Sequence, residues 1–99
     1  MIKMPLKFEW DAGNLYKLNV INADRDISQK DIEHVFDDKY AFSKPSPHPA
    51  ERRWKIVGRD LRGRILTVIF TKRKKKIRYV TAWKTNLRKE EYKTYLKRI

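Results

Sequence analysis

Hydrophobic and β-branched residues are most concentrated between Arg52 and Trp83, where their spacing predicts three consecutive strands. The predicted strands are Arg53–Gly58, Arg64–Thr71 and Ile77–Trp83. The central one is apolar at both odd and even positions, which is typical of a strand covered on both faces. Its neighbours are expected to be antiparallel, joined by a turn at residues 59–63 and by the cationic run Lys72–Lys76. This meander is the predicted scaffold.

Two helices are predicted ahead of the meander. Leu6–Trp10 alternates apolar and polar residues like a short strand, and Asp11 then suits the N-cap of a helix that ends near Asn19. Ser28–Asp31 has the form of a capping box for a second helix, which ends at Asp37–Asp38. Apolar residues recur in this second helix at the spacing of one buried face.

The remaining segments complete the predicted fold. Tyr40–Phe42 is expected as a short edge strand, and the following loop, Ser43–Ala50, holds three of the four prolines. After the meander, Thr85 or Asn86 is expected to cap a final helix, whose docking stripe is Tyr92, Tyr95, Leu96 and Ile99. The pattern predicts one α+β domain over residues 1–99: a twisted antiparallel sheet of three to five strands, with two N-terminal helices and one C-terminal helix on one face.

Charge is distributed unevenly along the 99 residues, which carry a net charge of +13. Residues 1–51 hold seven Lys/Arg and nine Asp/Glu, a net of −2, whereas residues 52–99 hold eighteen and three, a net of +15. Such a field favours a polyanionic partner, and nucleic acid is the commonest. There is no cysteine and no apolar run long enough to span a membrane, so a cytoplasmic location is expected.

Several classes of enzyme lack their sequence signatures here. The two histidines, His34 and His48, are far apart, and no spacing of His, Asp and Glu resembles a metal site. There is no glycine-rich phosphate loop. RNA strand scission by the neighbouring 2′-hydroxyl needs no cofactor and no metal, because cations stabilise the phosphorane and side chains move the protons.

The sequence offers candidates for each part of that reaction. Arg53, Arg64 and Arg78 lie one on each meander strand, and the strand register decides whether they share a face. The candidates for proton transfer are His48, Glu51, Lys17 and Tyr92. Three of them also have a plain structural interpretation: His48 as a loop histidine, Glu51 as a partner of Arg53, and Tyr92 as a packing residue. Trp83 is either a core residue or a base-stacking platform.

These residues, taken in order, resemble the BrnT toxin family, small ribonucleases with a RelE-like fold from bacterial type II toxin–antitoxin systems. The resemblance covers about residues 7–95. The matching segments are Phe8-Glu-Trp-Asp11, Asn14, Lys17, Val35-Phe36-Asp37-Asp38, Glu51, Arg53, Gly58, Arg62-Gly-Arg-Ile-Leu66, Arg78–Ala82 and Tyr92. Two positions depart from the family pattern: Leu18 stands where the family has His, and Trp83 stands where it has Arg, with Lys84 beside it.

The resemblance implies a metal-independent endoribonuclease toxin that inhibits translation, on or off the ribosome, and a neutralising antitoxin of the ribbon-helix-helix type. In that interpretation Arg53, Arg64 and Arg78 bind phosphate, and His48 and Glu51 are the acid and base. Lys17, Trp83, Lys84 and Tyr92 would contact the RNA. The alternative is a non-catalytic basic protein that binds nucleic acid, either associated with the ribosome or bound to DNA, and the two altered positions favour it.

Overall fold

The predicted meander forms the middle of a five-stranded sheet in the computed structural model, which describes residues 7–99. The strands are β1 (Lys7–Phe8), β2 (Phe42–Ser46), β3 (Arg53–Arg59), β4 (Ile65–Arg73) and β5 (Lys76–Lys84). Their order is β1-β5-β4-β3-β2, with every pair antiparallel except β1 and β5. The sheet is therefore mixed, because one parallel pair lies at its edge. Of the predicted first strand Leu6–Trp10, Leu6 lies outside the described residues.

Three α-helices accompany the sheet: α1 (Ala12–Tyr16), α2 (Gln29–Asp37) and α3 (Glu90–Arg98). A π-helical turn, Lys17–Ile21, continues α1, and a 3₁₀ turn, Ala23–Arg25, precedes α2. The α+β class, with two N-terminal helices and one C-terminal helix, is confirmed.

The first two helices begin where their capping residues predict. The Asp11 carboxylate accepts the backbone N–H of Asn14 at 2.9 Å, and the side-chain oxygen of Asn14 accepts the backbone N–H of Asp11 at 2.8 Å. Ser28 and Asp31 make the same reciprocal pair at the start of α2, at 3.1 and 2.9 Å. Each pair satisfies backbone donors that a helix N-terminus otherwise leaves unpaired.

The predicted cap of α3 is wrong, because α3 begins at Glu90, after Lys89. The hydroxyl of Thr85 bonds the hydroxyl of Thr67 at 2.7 Å, and Asn86 accepts the N–H of Arg88 in a turn before the helix. Both side chains therefore make their hydrogen bonds before α3 begins, and neither caps the helix.

Two loop boundaries also differ from the prediction. The expected loop Ser43–Ala50 begins as a strand, since β2 runs from Phe42 to Ser46 and pairs with β3. The cationic run Lys72–Lys76 is mostly strand, and only Lys74 and Lys75 form the turn. Their φ angles of 50° and 66° are both positive, as the two-residue turn of a twisted hairpin requires.

The central strand β4 separates two packed layers, and residues 65–70 are all buried. On the side here called the α2 face, Leu66, Val68 and Phe70 pack with α2. On the other side, the α3 face, Ile65 packs with Val57 and with Tyr95 of α3. The prediction that all helices lie on one face is therefore wrong, because α3 covers the opposite side.

The final helix covers only part of its face. Tyr95 is 1% exposed and Tyr92 packs beside it, whereas Leu96 and Ile99 remain 45% and 53% exposed. Only the two tyrosines of the predicted docking stripe therefore pack against the sheet. Because α3 packs near the Val57 end of β3, it does not cover the other end of the α3 face.

Candidate active site

The strand register brings two of the three predicted arginines onto one face of the sheet. Thr71 on β4 pairs with Arg78 on β5, and Phe70 pairs with Trp54 on β3. Arg53 therefore comes opposite Thr71 from the other side. Since alternate residues of a strand share a face, both arginines lie on the α3 face, where β4 ends and β5 begins.

The third predicted arginine, Arg64, lies elsewhere. It precedes β4, seven residues from Thr71 and so roughly 23 Å away along the strand. Its guanidinium contacts Asp60 at 2.7 Å, Asp31 of α2 at 3.4 Å and the carbonyl of Asp26 at 2.8 Å. The structure therefore separates Arg64 from the other two and uses it to tie a turn to α2.

A cleft of about 270 Å³ opens beside Arg78 at the edge of the sheet. Three predicted site residues line it: Lys17 from the π-helical turn, Glu51 from the loop before β3, and Arg78. The other residues that line it are Gly13, Asn14, Thr71, Arg73, Tyr79 and Val80. Three cationic side chains and one carboxylate thus meet around one opening, although they come from distant parts of the chain.

Arg78 is held in the cleft by two acids. Its Nη1 lies 2.8 Å from Asp11 and also contacts Glu9. The carboxylates of Asp11 and Glu9 raise the pKa of Arg78. In turn, the backbone N–H of Asn14 and the Arg78 guanidinium lower the pKa of Asp11. These contacts fix the direction of the guanidinium, while its remaining N–H groups are still able to donate to a ligand.

Glu51 and Arg53 form the second charged pair. Arg53 donates from Nε to Glu51 at 2.8 Å, and this bond lowers the pKa of Glu51. Glu51 is therefore a carboxylate at neutral pH and acts as an acceptor.

His48 lies in the same loop as Glu51. Its Nδ1 accepts the N–H of Ala50 at 3.1 Å, so in the neutral ring the proton sits on Nε2. His48 in this state presents a donor rather than a base.

The other predicted RNA contacts do not line the cleft. Trp83 is 38% exposed on the α3 face and lines a second cavity nearer to α3. Lys84 pairs with Leu66, so it lies on the α2 face beside Asp24. Tyr92 belongs to α3 and packs against the core that this helix covers.

Sequence reasoning missed Arg73 and Asn14 as cleft residues. Arg73 stands two residues after Thr71 on β4, so the strand period places both on one face. That period was the available signal, and it was hidden because Arg73 falls within the cationic run Lys72–Lys76. Asn14 was attributed to the first helix, where its side chain also accepts the N–H of Asp11.

Within residues 7–99, no three His, Cys, Asp or Glu side chains lie together in a way that could hold a metal ion. No helix in that range combines the length and the apolar character needed to cross a bilayer.

The chain matches the model of a known protein family. No curated protein matches the chain. A family model described as "Ribonuclease toxin, BrnT, of type II toxin-antitoxin system" matches residues 10–90, well over half of the sequence. This range includes all the residues that line the cleft. The chain belongs to the BrnT family of ribonuclease toxins from type II toxin–antitoxin systems.

Proposed function

We propose that this protein is a metal-independent endoribonuclease that inhibits translation by cleaving RNA through attack of the 2′-hydroxyl. The observation that carries the proposal is the cleft in which Lys17, Arg73 and Arg78 surround an opening that Glu51 also lines. A cationic pocket next to a proton acceptor is what this reaction requires.

In the proposed reaction, the 2′-oxygen forms a bond to the adjacent phosphorus while its proton passes to a base. The bond from phosphorus to the 5′-oxygen breaks, and that oxygen takes up a proton from an acid. The products are one RNA end with a 2′,3′-cyclic phosphate and one with a free 5′-hydroxyl. Negative charge builds up on the phosphoryl oxygens between these steps, so nearby cations lower the barrier.

Arg78 and Arg73 are proposed to stabilise that charge, with Lys17 as a further phosphate contact. Arg53 would hold Glu51 in place and also face the phosphate, since it flanks Thr71 on the same side of the sheet. A guanidinium suits this role because it donates several N–H groups in one plane.

Glu51 is proposed as the base and His48 as the donor to the leaving oxygen. The supporting observation for Glu51 is that it is ionised at neutral pH. His48 would act as the imidazolium, which gives its Nε2 proton to the leaving oxygen and becomes the neutral ring. Arg64 is not included, because its guanidinium is committed to Asp60 and α2 at the other end of β4.

The partners follow from the family and from the charge. We propose a neutralising antitoxin of the ribbon-helix-helix type and a site of action on cytoplasmic RNA, on or off the ribosome. The strongly basic second half of the chain supports RNA as the substrate, because phosphate contacts dominate such binding.

Incubation of the purified protein with a mixed-sequence RNA in EDTA tests the proposal. We expect fragments that carry 2′,3′-cyclic phosphate, and we expect them to form far more slowly with the Arg78→Ala variant. RNA that stays intact both alone and in a translation mixture with ribosomes would contradict the proposal. If the RNA were bound but uncut, the protein would be a non-catalytic nucleic-acid-binding protein.

A further inference from the structure

A second cavity, of about 200 Å³, lies on the α3 face where β5 ends. Its walls include Lys55, Thr67, Trp83, Thr85, Asn86 and Glu91. Thr67 in this cavity and Thr71 in the cleft are four residues apart on β4, roughly 13 Å along the strand. Both threonines lie on the α3 face, so a single strand of a few nucleotides spans the distance between the cleft and the second cavity.

Trp83 gives this cavity an aromatic wall. Its side chain is partly exposed near the end of β5. Lys55 lies on the same cavity wall. An exposed aromatic ring next to a cation is the usual platform for an unpaired base, because every base has a face that stacks. The position favours a nucleic acid over an apolar ligand, since the remaining walls are polar.

Glu91 gives the cavity a fixed hydrogen-bond acceptor. Its Oε1 lies 3.2 Å from Lys55 and 3.3 Å from Lys44. Its own backbone N–H and the Lys55 ammonium lower the pKa of Glu91 to about 2. The group is therefore a carboxylate at any physiological pH, and a carboxylate accepts hydrogen bonds but does not donate them.

A buried pair of hydroxyls supplies a donor. Thr67 and Thr85 are both almost fully buried, and their Oγ1 atoms lie 2.7 Å apart. The two hydroxyls hold two hydrogens and use one between them, so the accepting hydroxyl keeps a hydrogen to donate. Among the described residues, neither hydroxyl bonds a third side chain. The floor of the cavity thus combines a donor with the Glu91 acceptor.

We propose that this cavity is a base-binding subsite for single-stranded RNA, in which a cytosine, adenine or guanine stacks on Trp83 and donates its amino group to Glu91. Uracil has no amino group, and its one donor, N3–H, lies between two carbonyl oxygens that a carboxylate repels. The inference rests on the proposed function in taking RNA as the substrate, and it adds a preference for a base a short distance along the strand from the cleavage site.

The test measures binding without cleavage. Fluorescently labelled 2′-O-methyl oligocytidine and oligouridine lack the attacking hydroxyl, so the protein binds them intact. We expect the wild-type protein to bind oligocytidine roughly 12- to 150-fold more tightly than oligouridine, the range for one hydrogen bond to a charged group. Trp83→Ala should weaken binding of both by roughly 5- to 150-fold, as loss of one stacked base does.

Three further variants separate stacking, acceptor and surface effects. Trp83→Phe keeps an aromatic face and should retain most of the affinity. Glu91→Gln should bring the ratio of the two affinities close to one, because its amide both donates and accepts. Leu87→Ala removes a neighbouring exposed side chain outside the cavity and should bind like the wild-type protein.

Unchanged binding by Trp83→Ala, equal weakening by Trp83→Phe, a preference for oligouridine, or no binding of either oligomer would overturn the subsite. The cleavage assay distinguishes this result from failure of the proposed function. If the wild-type protein binds the oligomers as expected but leaves RNA intact, the subsite is supported and the nuclease function is contradicted. If the wild-type protein cleaves RNA and the Trp83→Ala variant binds the oligomers normally, the nuclease function is supported and the subsite is contradicted.

Discussion

The Arg78 guanidinium lies 2.8 Å from the Asp11 carboxylate, so the central cation of the cleft is already paired with an acid before any RNA arrives. Glu9 contacts the same nitrogen. In the proposed site, an RNA phosphate would compete with two carboxylates of the protein while it binds the remaining guanidinium N–H groups. The acids position the arginine and would at the same time weaken the field that attracts the proposed substrate.

Glu9→Gln should therefore raise the affinity for a 2′-O-methyl RNA oligomer by roughly two- to fivefold at low salt, and less at high salt where charges are screened. Glu9 is the better choice for substitution, because Asp11 also caps α1. Fluorescence anisotropy at two salt concentrations measures the effect. Glu90→Gln, which makes the same charge change in the first turn of α3, is the matched control. Weaker binding by Glu9→Gln would show that its positioning effect exceeds its competition with phosphate.

Arg78 and Arg64 should differ in what their loss removes. Arg78→Ala is expected to slow RNA cleavage by roughly 10²- to 10³-fold, the usual effect of removing one group that stabilises the transition state. Arg64→Ala is expected instead to lower the free energy of unfolding by about 3 kcal/mol, because Asp60 is 2% exposed and loses its charged partner. Cleavage rates and urea unfolding of both variants measure the two effects. An Arg64→Ala protein that unfolds normally but does not cleave would place Arg64 in the site.

The parts of the fold that could be predicted from the sequence depend on neighbouring residues. The run before Thr71 is apolar on both faces, so a central strand follows from its composition alone. The caps at Asp11 and Ser28 use bonds that span three residues. The cap at Thr85 failed for the opposite reason, since its hydroxyl is taken by Thr67, eighteen residues earlier in the chain.

The candidate site depends on strand register and on long connections, which composition does not determine. A shift of one residue in the pairing of β3 with β4 would move Arg53 to the α2 face. The apolar residues of α3 predict that it docks, but not which side of the sheet it covers. Residue type alone therefore identified Lys17, Glu51 and Arg78 as candidates. It could not distinguish Arg78, which lines the cleft, from Arg64, which does not.

Glu91 should make stability depend on acid pH. Its pKa is lowered from 4.5 to about 2, so its contribution to stability is fully present above pH 4.5 and is lost as the pH falls toward 2. Glu91→Gln is expected to be less stable than the wild-type protein by about 1 kcal/mol at pH 7. The difference should disappear near pH 2.

Urea unfolding of the two proteins at several pH values between 7 and 2 measures this difference. Other acids titrate in both proteins, so only the difference between them reports on Glu91. Glu90→Gln is again the control, because Glu90 makes no ion pair among residues 7–99, and its difference from the wild-type protein should stay flat with pH. A constant difference for Glu91→Gln would mean that its ion pairs with Lys55 and Lys44 do not form in solution.

Gly58 should tolerate no side chain, because β3 passes close to the end of α2. A Cβ on Gly58 would lie 2.9 Å from the Cβ of Ala41 and 3.0 Å from the carbonyl oxygen of Val35. Both neighbours are rigid, so the strand or α2 would have to move. Overpacking of this kind destabilises by about 1–3 kcal/mol. We therefore expect Gly58→Ala to lower the free energy of unfolding by that amount.

Gly13→Ala is the matched control for this prediction. Its added Cβ would meet only Asp11, at 3.4 Å, and alanine favours the helical backbone of α1. It should therefore leave stability unchanged or raise it by up to about 1 kcal/mol. Urea unfolding measures both variants. Equal stability of Gly58→Ala and the wild-type protein would show that α2 packs less closely on β3 than the structure has it.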